Sequence, residues 1–367
     1  MWYPTWKFDA HLRSEDDLNV IHGEAGILSA QFTKRGRLLT EEELDLYAPM
    51  PAWDLIEKNG KLDHYRNHNW HSFNTKHRSP YASIYTSLGC PYKCTFCCIN
   101  APFGDMMKGP RPYRLWSPAR TVAQIAHLVT KYGITNIKFV DEMFVLNPDH
   151  VFGITDRLTK KSDLGSKINI WAYARVDTAK PKFLESLKKA GFHWLCLGIE
   201  SGNKKVRTTA NKLKQENEDI KQVVQRIYDS GIYIIGNYIF GLPEDDIEAM
   251  RDTYDLAVDL NCEFSNFYSA MAYPGSPLYY QAVKEGIELP KSWQGYSQHG
   301  YETFPLRNKY VTSSQIISFR DASHMAYHSR PEYLTMISQK FGTYALDEIK
   351  KMLELGTPKR KILETTA

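Results

Sequence analysis

The stretch Ser87-Leu-Gly-Cys90-Pro-Tyr-Lys-Cys94-Thr-Phe-Cys97-Cys98 comes at the end of the first strand pattern of the chain, residues 82–88. Only 6 cysteines occur in 367 residues, and this stretch holds four of them. So few cysteines do not make a disulfide scaffold, and a cluster of thiols indicates metal or redox chemistry. Three thiolates at spacing x3 then x2 can converge on one iron–sulfur cluster, whereas structural zinc commonly takes two separated pairs.

The remaining cysteines are interpreted differently. Cys98 adjoins Cys97, and because neighbouring side chains diverge it is not expected to bind the same metal centre. Cys196 and Cys262 fall on predicted strands. Each is predicted to be a small, buried core residue.

Strand and helix patterns alternate around this stretch, over residues 79–278. Apolar or β-branched runs occur at residues 82–88, 136–140, 168–173, 194–199, 232–240 and 264–271. The intervening segments have helical period, and Ser117-Pro118 and Gly133 mark the ends of the first. Six β–α units in series predict a parallel sheet, either open and doubly wound or closed into a complete or partial barrel. Both architectures place ligands at the carboxyl ends of the strands.

The flanking segments and the composition exclude several classes of protein. Residues 1–78 are predicted to be an N-terminal segment, and residues 279–367 a helical extension with helices at 314–328, 331–339 and 346–355. No apolar run approaches the ~18 residues of a membrane-spanning helix, and the first residues lack a signal pattern, so we expect a cytoplasmic protein. The net charge is only +4, so nucleic acid is not the expected partner. The aromatic and His-rich residues 64–78 are interpreted as an approach loop rather than a stacking surface for single strands.

Cys90-x3-Cys94-x-Phe96-Cys97 resembles the signature of the radical S-adenosylmethionine (SAM) superfamily. The resemblance continues at the later strand ends, where this family contacts the amino group, carboxylate, ribose and adenine of SAM. The matching residues are Asp141, Glu142, Arg175, Glu200, Ser201, Ile239 and Gly241. Simpler interpretations also exist: an acidic pair as a helix N-cap, Gly241-Leu-Pro as a turn, and Arg175 in a surface ion pair with Asp177 or Asp141.

The resemblance implies a partial (β/α)6 TIM-type barrel in an α/β fold. It implies a [4Fe–4S] cluster on Cys90, Cys94 and Cys97, with SAM on the open iron and with Phe96 and Cys98 beside the cofactors. An electron from a reduced ferredoxin or flavodoxin type donor would then cleave SAM. The resulting 5′-deoxyadenosyl radical would abstract hydrogen from an unidentified organic substrate. Methyl or methylthio transfer is the alternative within enzymes, and a non-catalytic iron–sulfur or zinc protein is the alternative outside them.

Gly23-Glu24, Pro49-Met-Pro51-Ala52-Trp53 and Arg330-Pro331 are similar to segments of cobalamin-associated radical SAM proteins. Those proteins carry an α/β domain before the Gly-Glu junction, where this chain has 22 residues. It also has no Asp-x-His-x-x-Gly element, which supplies an axial histidine in some cobalamin proteins. We therefore expect a chain that works without cobalamin, a shortened relative, or one paired with a separate carrier.

Overall fold

The computed structural model describes residues 38–48, 50–65, 81–103, 112–160, 163–212 and 219–364. The chain divides into two compact units, Met1–Pro51 and Ala52–Ala367. In the first unit, helix α1 (Glu41–Tyr47) begins at Thr40, whose side chain accepts a hydrogen bond from the Glu43 backbone in a capping box. The segment around residues 18–22, the Gly23-Glu24 junction and residues 66–78 of the His-rich run lie outside the described residues.

The second unit is organised by one parallel sheet. Its strands, with a short hairpin, are β1 (Tyr81–Ile84), β2 (Ser87–Leu88), β3 (Arg114–Leu115), β4 (Asn136–Phe139), β5 (Asn169–Arg175), β6 (Phe192–Glu200), β7 (Tyr233–Phe240) and β8 (Phe264–Ser269). Among the described residues, six of them form a sheet in the order β1-β4-β5-β6-β7-β8, every pair parallel. A doubly wound sheet reverses its order at a switch point, and this sheet does not. The predicted partial barrel is confirmed.

The first predicted strand, residues 82–88, proves to be two strands. β1 pairs with β4, whereas β2 leaves the sheet and pairs antiparallel with β3. The break falls at Thr86, whose backbone N–H donates to Asp141 Oδ1 at 2.8 Å instead of to a neighbouring strand. A polar side chain at the end of β4 therefore turns the chain out of the sheet just before the first cysteine.

The helices pack on the outside of the sheet. They are α2 (Trp53–Lys58), α3 (Pro118–Tyr132), α4 (Pro148–Thr159), α5 (Pro181–Lys189), α6 (Lys204–Thr209), α7 (Ile220–Asp229), α8 (Ile247–Leu260), α9 (Pro277–Lys284), α10 (Ser313–Ser329), α11 (Pro331–Leu355) and α12 (Lys361–Glu364). Ser117 caps α3 and Gly133 ends it in the left-handed conformation, as predicted. The two predicted helices at 331–339 and 346–355 lie on either side of Gly342, whose non-helical backbone (φ +82°) forms a kink within α11. No helix in the described part of the chain is long and apolar enough to span a bilayer.

The two faces of the sheet differ in polarity. On the outer face Phe139 is fully buried and meets Phe144 and Phe192 at ring distances of 4.9 and 5.3 Å. The inner face carries a group of polar and aromatic side chains that we call the concave face: Lys138, Tyr173, Cys196, Asn237, Asn266 and Tyr268. Some of these residues lie on non-neighbouring strands and still act on one another electrostatically, which is possible because the sheet is curled.

Candidate active site

The cysteine loop begins with a glycine that no other residue can replace without rearrangement. Gly89 has φ +84°, and a Cβ atom there would lie 1.9 Å from the carbonyl oxygen of Pro112. Asn100 then folds the loop back, since its side chain donates to the Cys90 carbonyl at 2.6 Å and accepts from the Cys90 N–H at 3.2 Å. The N–H of Cys97 closes a turn on the carbonyl of Cys94 at 3.2 Å.

Hydrogen bonds to two other segments fix the outer side of the same loop. Thr95 donates its N–H to the carbonyl of Ala210 and accepts from the N–H of Leu278, at 3.1 and 2.9 Å. Asn211 donates to the carbonyl of Lys93 at 2.7 Å. The loop is thereby tied to the segments that follow α6 and β8.

The three thiols share one neighbourhood. The pKa of Cys97 is raised to about 12, mainly by burial, and Cys94, Cys98 and Cys90 each contribute to the rise. Burial also raises the pKa of Cys90, with Cys94 adding to it. Among the described residues, no group of three Cys, His, Asp or Glu side chains is placed to hold a single metal ion. The donor set nevertheless suits a cluster, because buried neighbouring thiols lose their protons only to a strong cationic centre.

Arg175, at the end of β5, contacts the loop directly. Its Nη1 donates to Cys94 Sγ at 3.7 Å, and its guanidinium lies 3.7 Å from the ring centroid of Tyr92. It also pairs with Asp177 at 2.8 Å, as the simpler interpretation predicted. Arg175 is only 4% exposed, so this pair is part of the site rather than of the surface.

Lys212 is a site residue that the sequence patterns did not reveal. It is buried, and its Nζ lies 2.5 Å from Oε1 of Glu200 at the end of β6. Its backbone carbonyl accepts a hydrogen bond from Arg175 Nη2. Burial opposes its charge, but Glu200 and Cys94 hold the pKa of Lys212 above its ordinary value. Two buried cations therefore lie beside Cys94.

The two acidic residues after β4, Asp141 and Glu142, have different surroundings. Asp141 is fully buried, and its Oδ1 accepts from Thr86 and from Ser87 Oγ, the latter at 2.6 Å. Burial raises the pKa of Asp141 to about 6 in spite of these hydrogen bonds. Asp141 thus anchors the start of the cysteine loop.

Glu142 is the more open of the pair. It accepts a backbone hydrogen bond from Gly89, and burial raises its pKa to about 7. Its Oε2 is buried and has no hydrogen-bond partner among the described residues. A buried acceptor without a donor is costly, so the carboxyl of Glu142 suits a cationic ligand group at the entrance of the loop.

The remaining predicted residues are placed as follows. Ser201 is fully buried and bonds to Thr253 Oγ1 at 3.0 Å, so its hydroxyl serves the turn after β6. Ile239 and Phe96 pack against one apolar cluster beside the loop. Gly241 donates its N–H to Asp245 at 2.8 Å. Cys98 is partly buried. The pKa of the nearby Tyr273 phenol is raised mainly by burial, and Cys98 adds to this rise.

Glu244, which follows the same turn, faces away from the loop chemistry. It pairs with Lys205 and Lys309 at 2.8 and 2.9 Å, and these hydrogen bonds lower its pKa to about 2. Cys196 is buried, as predicted, but its Sγ accepts a hydrogen bond from Asn237 at 2.9 Å on the concave face.

Comparison with known proteins agrees with this geometry. A family model described as the radical SAM superfamily matches residues 84–257, from the end of β1 to within α8. Residues 84–257 thus carry a radical SAM domain. The predicted resemblance and the prediction of an enzyme are confirmed, and this domain implies a [4Fe–4S] cluster and SAM as cofactors.

Two relatives are methyltransferases by name. An uncharacterized methyltransferase of Pyrococcus horikoshii is 26% identical over 316 residues, covering 84% of this chain and 63% of the relative. Cytidylyl-2-hydroxyethylphosphonate methyltransferase of Streptomyces wedmorensis is 23% identical over 308 residues, covering 77% of this chain and 55% of the relative. The chain thus spans less than two thirds of the length of these relatives.

The fold resembles that of a solved cobalamin-dependent member of the superfamily. The cobalamin-dependent SAM radical enzyme OxsB, with aqua-cobalamin and SAM bound, aligns with a TM-score of 0.52 at 15% identity. The alignment covers 72% of this chain and 46% of OxsB. The similarity supports the partial barrel.

Proposed function

We propose that this radical SAM enzyme transfers a methyl group to a small organic molecule. The observation that carries the SAM chemistry is the meeting at the cysteine loop of two buried cations and one carboxyl, Glu142, whose Oε2 has no hydrogen-bond partner among the described residues. The observation that favours methyl transfer over simple hydrogen abstraction is that the two relatives above are methyltransferases by name.

The residues divide naturally between the parts of SAM. Cys90, Cys94 and Cys97 would hold the cluster. Glu142 offers a carboxyl to the α-amino group, since its Oε2 has no other partner. Arg175 and Lys212 offer cationic donors to the α-carboxylate, because charge-assisted hydrogen bonds of this kind are the strong ones.

The carboxylate of Glu200 would repel the carboxylate of SAM, so we assign Glu200 to the ribose hydroxyls of SAM. It lies between Lys212 and the concave face and acts electrostatically on both Cys196 and Tyr268. A [4Fe–4S] cluster, reduced by a ferredoxin or flavodoxin type donor, would supply the electron that cleaves one SAM to methionine and a 5′-deoxyadenosyl radical. A second SAM would be needed as the methyl donor, and it would leave as S-adenosylhomocysteine. The apolar packing of Phe96 and Ile239 beside the loop excludes water from this region.

The test is anaerobic reconstitution with iron and sulfide, followed by reduction in the presence of SAM. We expect 5′-deoxyadenosine and a SAM-dependent change in the EPR signal. In a parallel sample that contains reduced cobalamin as the methyl acceptor, we expect S-adenosylhomocysteine as the mark of methyl transfer. Absence of both nucleoside products would refute SAM cleavage, and 5′-deoxyadenosine without S-adenosylhomocysteine would restore the hydrogen-abstraction alternative.

Cys94→Ala and Cys98→Ala form a matched pair within this experiment. Cys94 contacts Arg175 and acts electrostatically on both Cys90 and Cys97, whereas Cys98 acts on Cys97. Loss of iron and sulfide is expected for Cys94→Ala and retention for Cys98→Ala. Equal losses would show that the ligand assignment is wrong.

A further inference from the structure

A cavity of about 290 Å³ opens beside β8 in the second unit. Asn266 and Tyr268 of the concave face line it on one side, and Arg320 and His324 of α10 line it on another. His299 and the segment 356–358 complete the wall. The cavity is therefore built from the strand edge and the C-terminal helices together.

Arg320 places a positive charge in the wall of this cavity. Behind the wall, Asp321 is the acidic partner of two arginines: Arg320 Nη1 lies 2.6 Å from its Oδ1, and Arg360 Nε lies 2.8 Å from its Oδ2. All three side chains are buried. Arg320 therefore shares its acidic partner with a second cation, and a buried charge favours a further partner of opposite sign.

Two histidines in the cavity wall, His299 and His324, add hydrogen-bond donors without adding charge. Burial lowers the pKa of His324 to about 4, and burial with Arg320 and Arg360 nearby lowers that of His299. Both rings are therefore neutral at pH 7. His324 lines the cavity, and its Nδ1 is buried with no hydrogen-bond partner among the described residues.

Side-chain contacts join the cavity to the proposed SAM site. Asn266 donates to Asn237 Oδ1 at 3.1 Å, and Asn237 donates to Cys196 Sγ at 2.9 Å. Tyr268 lies close enough to both Glu200 and Arg320 to be influenced by each. A molecule held in the cavity would extend along the concave face toward Glu200.

We propose that this cavity binds the anionic end of the substrate, a small organic molecule bearing a carboxylate or phosphonate group, with Arg320 as its cationic partner. The inference rests on the proposed function, because it takes the concave face to be the substrate side of the SAM site. Arg320 is already oriented by its Nε, which donates to the carbonyl of Phe267 at 2.7 Å. Its position is thus fixed before any ligand arrives.

The test uses calorimetric titration of the reconstituted protein in the presence of SAM. The probes are benzoate, phenylphosphonate and the neutral isostere benzamide. At least one anion is expected to bind at least ten-fold more tightly than benzamide, and the two anionic probes show which oxyanion is preferred. Equal affinity for benzamide and the anions, or no binding of either anion, would overturn the proposal.

Variants then locate the site. Arg320→Met should weaken anion binding at least ten-fold, and Arg320→Lys should weaken it less. Because Arg320 also supports the fold, Thr357→Phe provides a second test that fills the cavity and leaves its charges intact. It too should abolish binding, whereas Lys221→Met, which removes an exposed cation of α7, should change nothing. Anion binding that survives Thr357→Phe would refute the location.

SAM cleavage is measured in the same samples. If 5′-deoxyadenosine forms and no anion binds, the cavity proposal fails alone. If the anion binds and SAM is not cleaved, the proposed function fails instead.

Discussion

Replacing Lys212 by Met tests the charge balance of the site most directly. The variant leaves the buried carboxylate of Glu200 without the cation that lies 2.5 Å away. Breaking a buried ion pair from one side costs about 3–5 kcal/mol. With an unfolding entropy of about 2.1 cal/mol/K per residue over residues 52–367, this loss lowers Tm by about 5–8 °C. Differential scanning calorimetry at one fixed scan rate measures it.

Two further variants separate charge from packing. Lys212→Arg keeps the cation and should lose much less stability. In Lys212→Met with Glu200→Gln neither partner is charged, so the double variant should regain most of the loss. A Lys212→Met protein as stable as the parent, or a double variant no more stable than the single one, would refute the reasoning.

The same Lys212→Met variant should bind SAM more weakly. A hydrogen bond to a charged group contributes about 1.5–3 kcal/mol, which corresponds to roughly a 10- to 150-fold change in Kd. Equilibrium dialysis with the reconstituted protein measures this affinity at a temperature where the variant is folded. An unchanged Kd would remove Lys212 from the proposed carboxylate contact.

Three other predictions concern the loop and the groups around it. Gly89→Ala should prevent cluster assembly because the added Cβ has no room. Gly133→Ala is the control, since Gly133 has a similar positive φ but open space around it; it should lower the free energy of unfolding by about 1 kcal/mol and retain iron. Iron and sulfide analysis distinguishes the two variants. Glu142→Gln should weaken SAM binding roughly ten-fold or more while leaving the iron content unchanged, because it removes a charge-assisted contact. Burial lowers the pKa of His150 to about 4, so the folded state binds fewer protons than the unfolded state and stability falls as pH drops below about 6.5. Between pH 7.5 and 5, the free energy of unfolding of His150→Asn should therefore fall by about 2 kcal/mol less than that of the parent protein, as measured by urea titrations. Parallel pH profiles of the two proteins would contradict the lowered pKa of His150.

The barrel could be predicted from the sequence because its signals are local. Runs of apolar residues mark each strand, and Ser117 and Gly133 mark a helix by side-chain capping and by backbone conformation. The cysteine spacing is local too. The break after β1 was missed because it depends on Asp141, which lies 55 residues from Thr86 in the chain.

Residues whose role depends on tertiary contacts could not be assigned in this way. A carboxylate at a strand end can hold a ligand or a loop, and sequence alone does not separate Asp141 from Glu142; the hydrogen bonds of Asp141 to Thr86 and Ser87 do. Lys212 follows α6 in an irregular segment with no periodic pattern. Its burial against Glu200 exists only because the segment 210–212 packs on the cysteine loop.

The anchoring of the loop and the chemistry of the site are physically linked. Burial and Cys94 raise the pKa of Cys90, whereas Arg175 and Lys212 lower it. The same two cations are those offered to the carboxylate of SAM. Arg175 and Lys212 hold each other through the Lys212 carbonyl, and the segment carrying Lys212 also bonds to Thr95 and Lys93 of the loop. A displacement of the loop therefore moves the thiols and the cations together, which would keep the proposed cluster ligands and the proposed SAM contacts in one fixed arrangement.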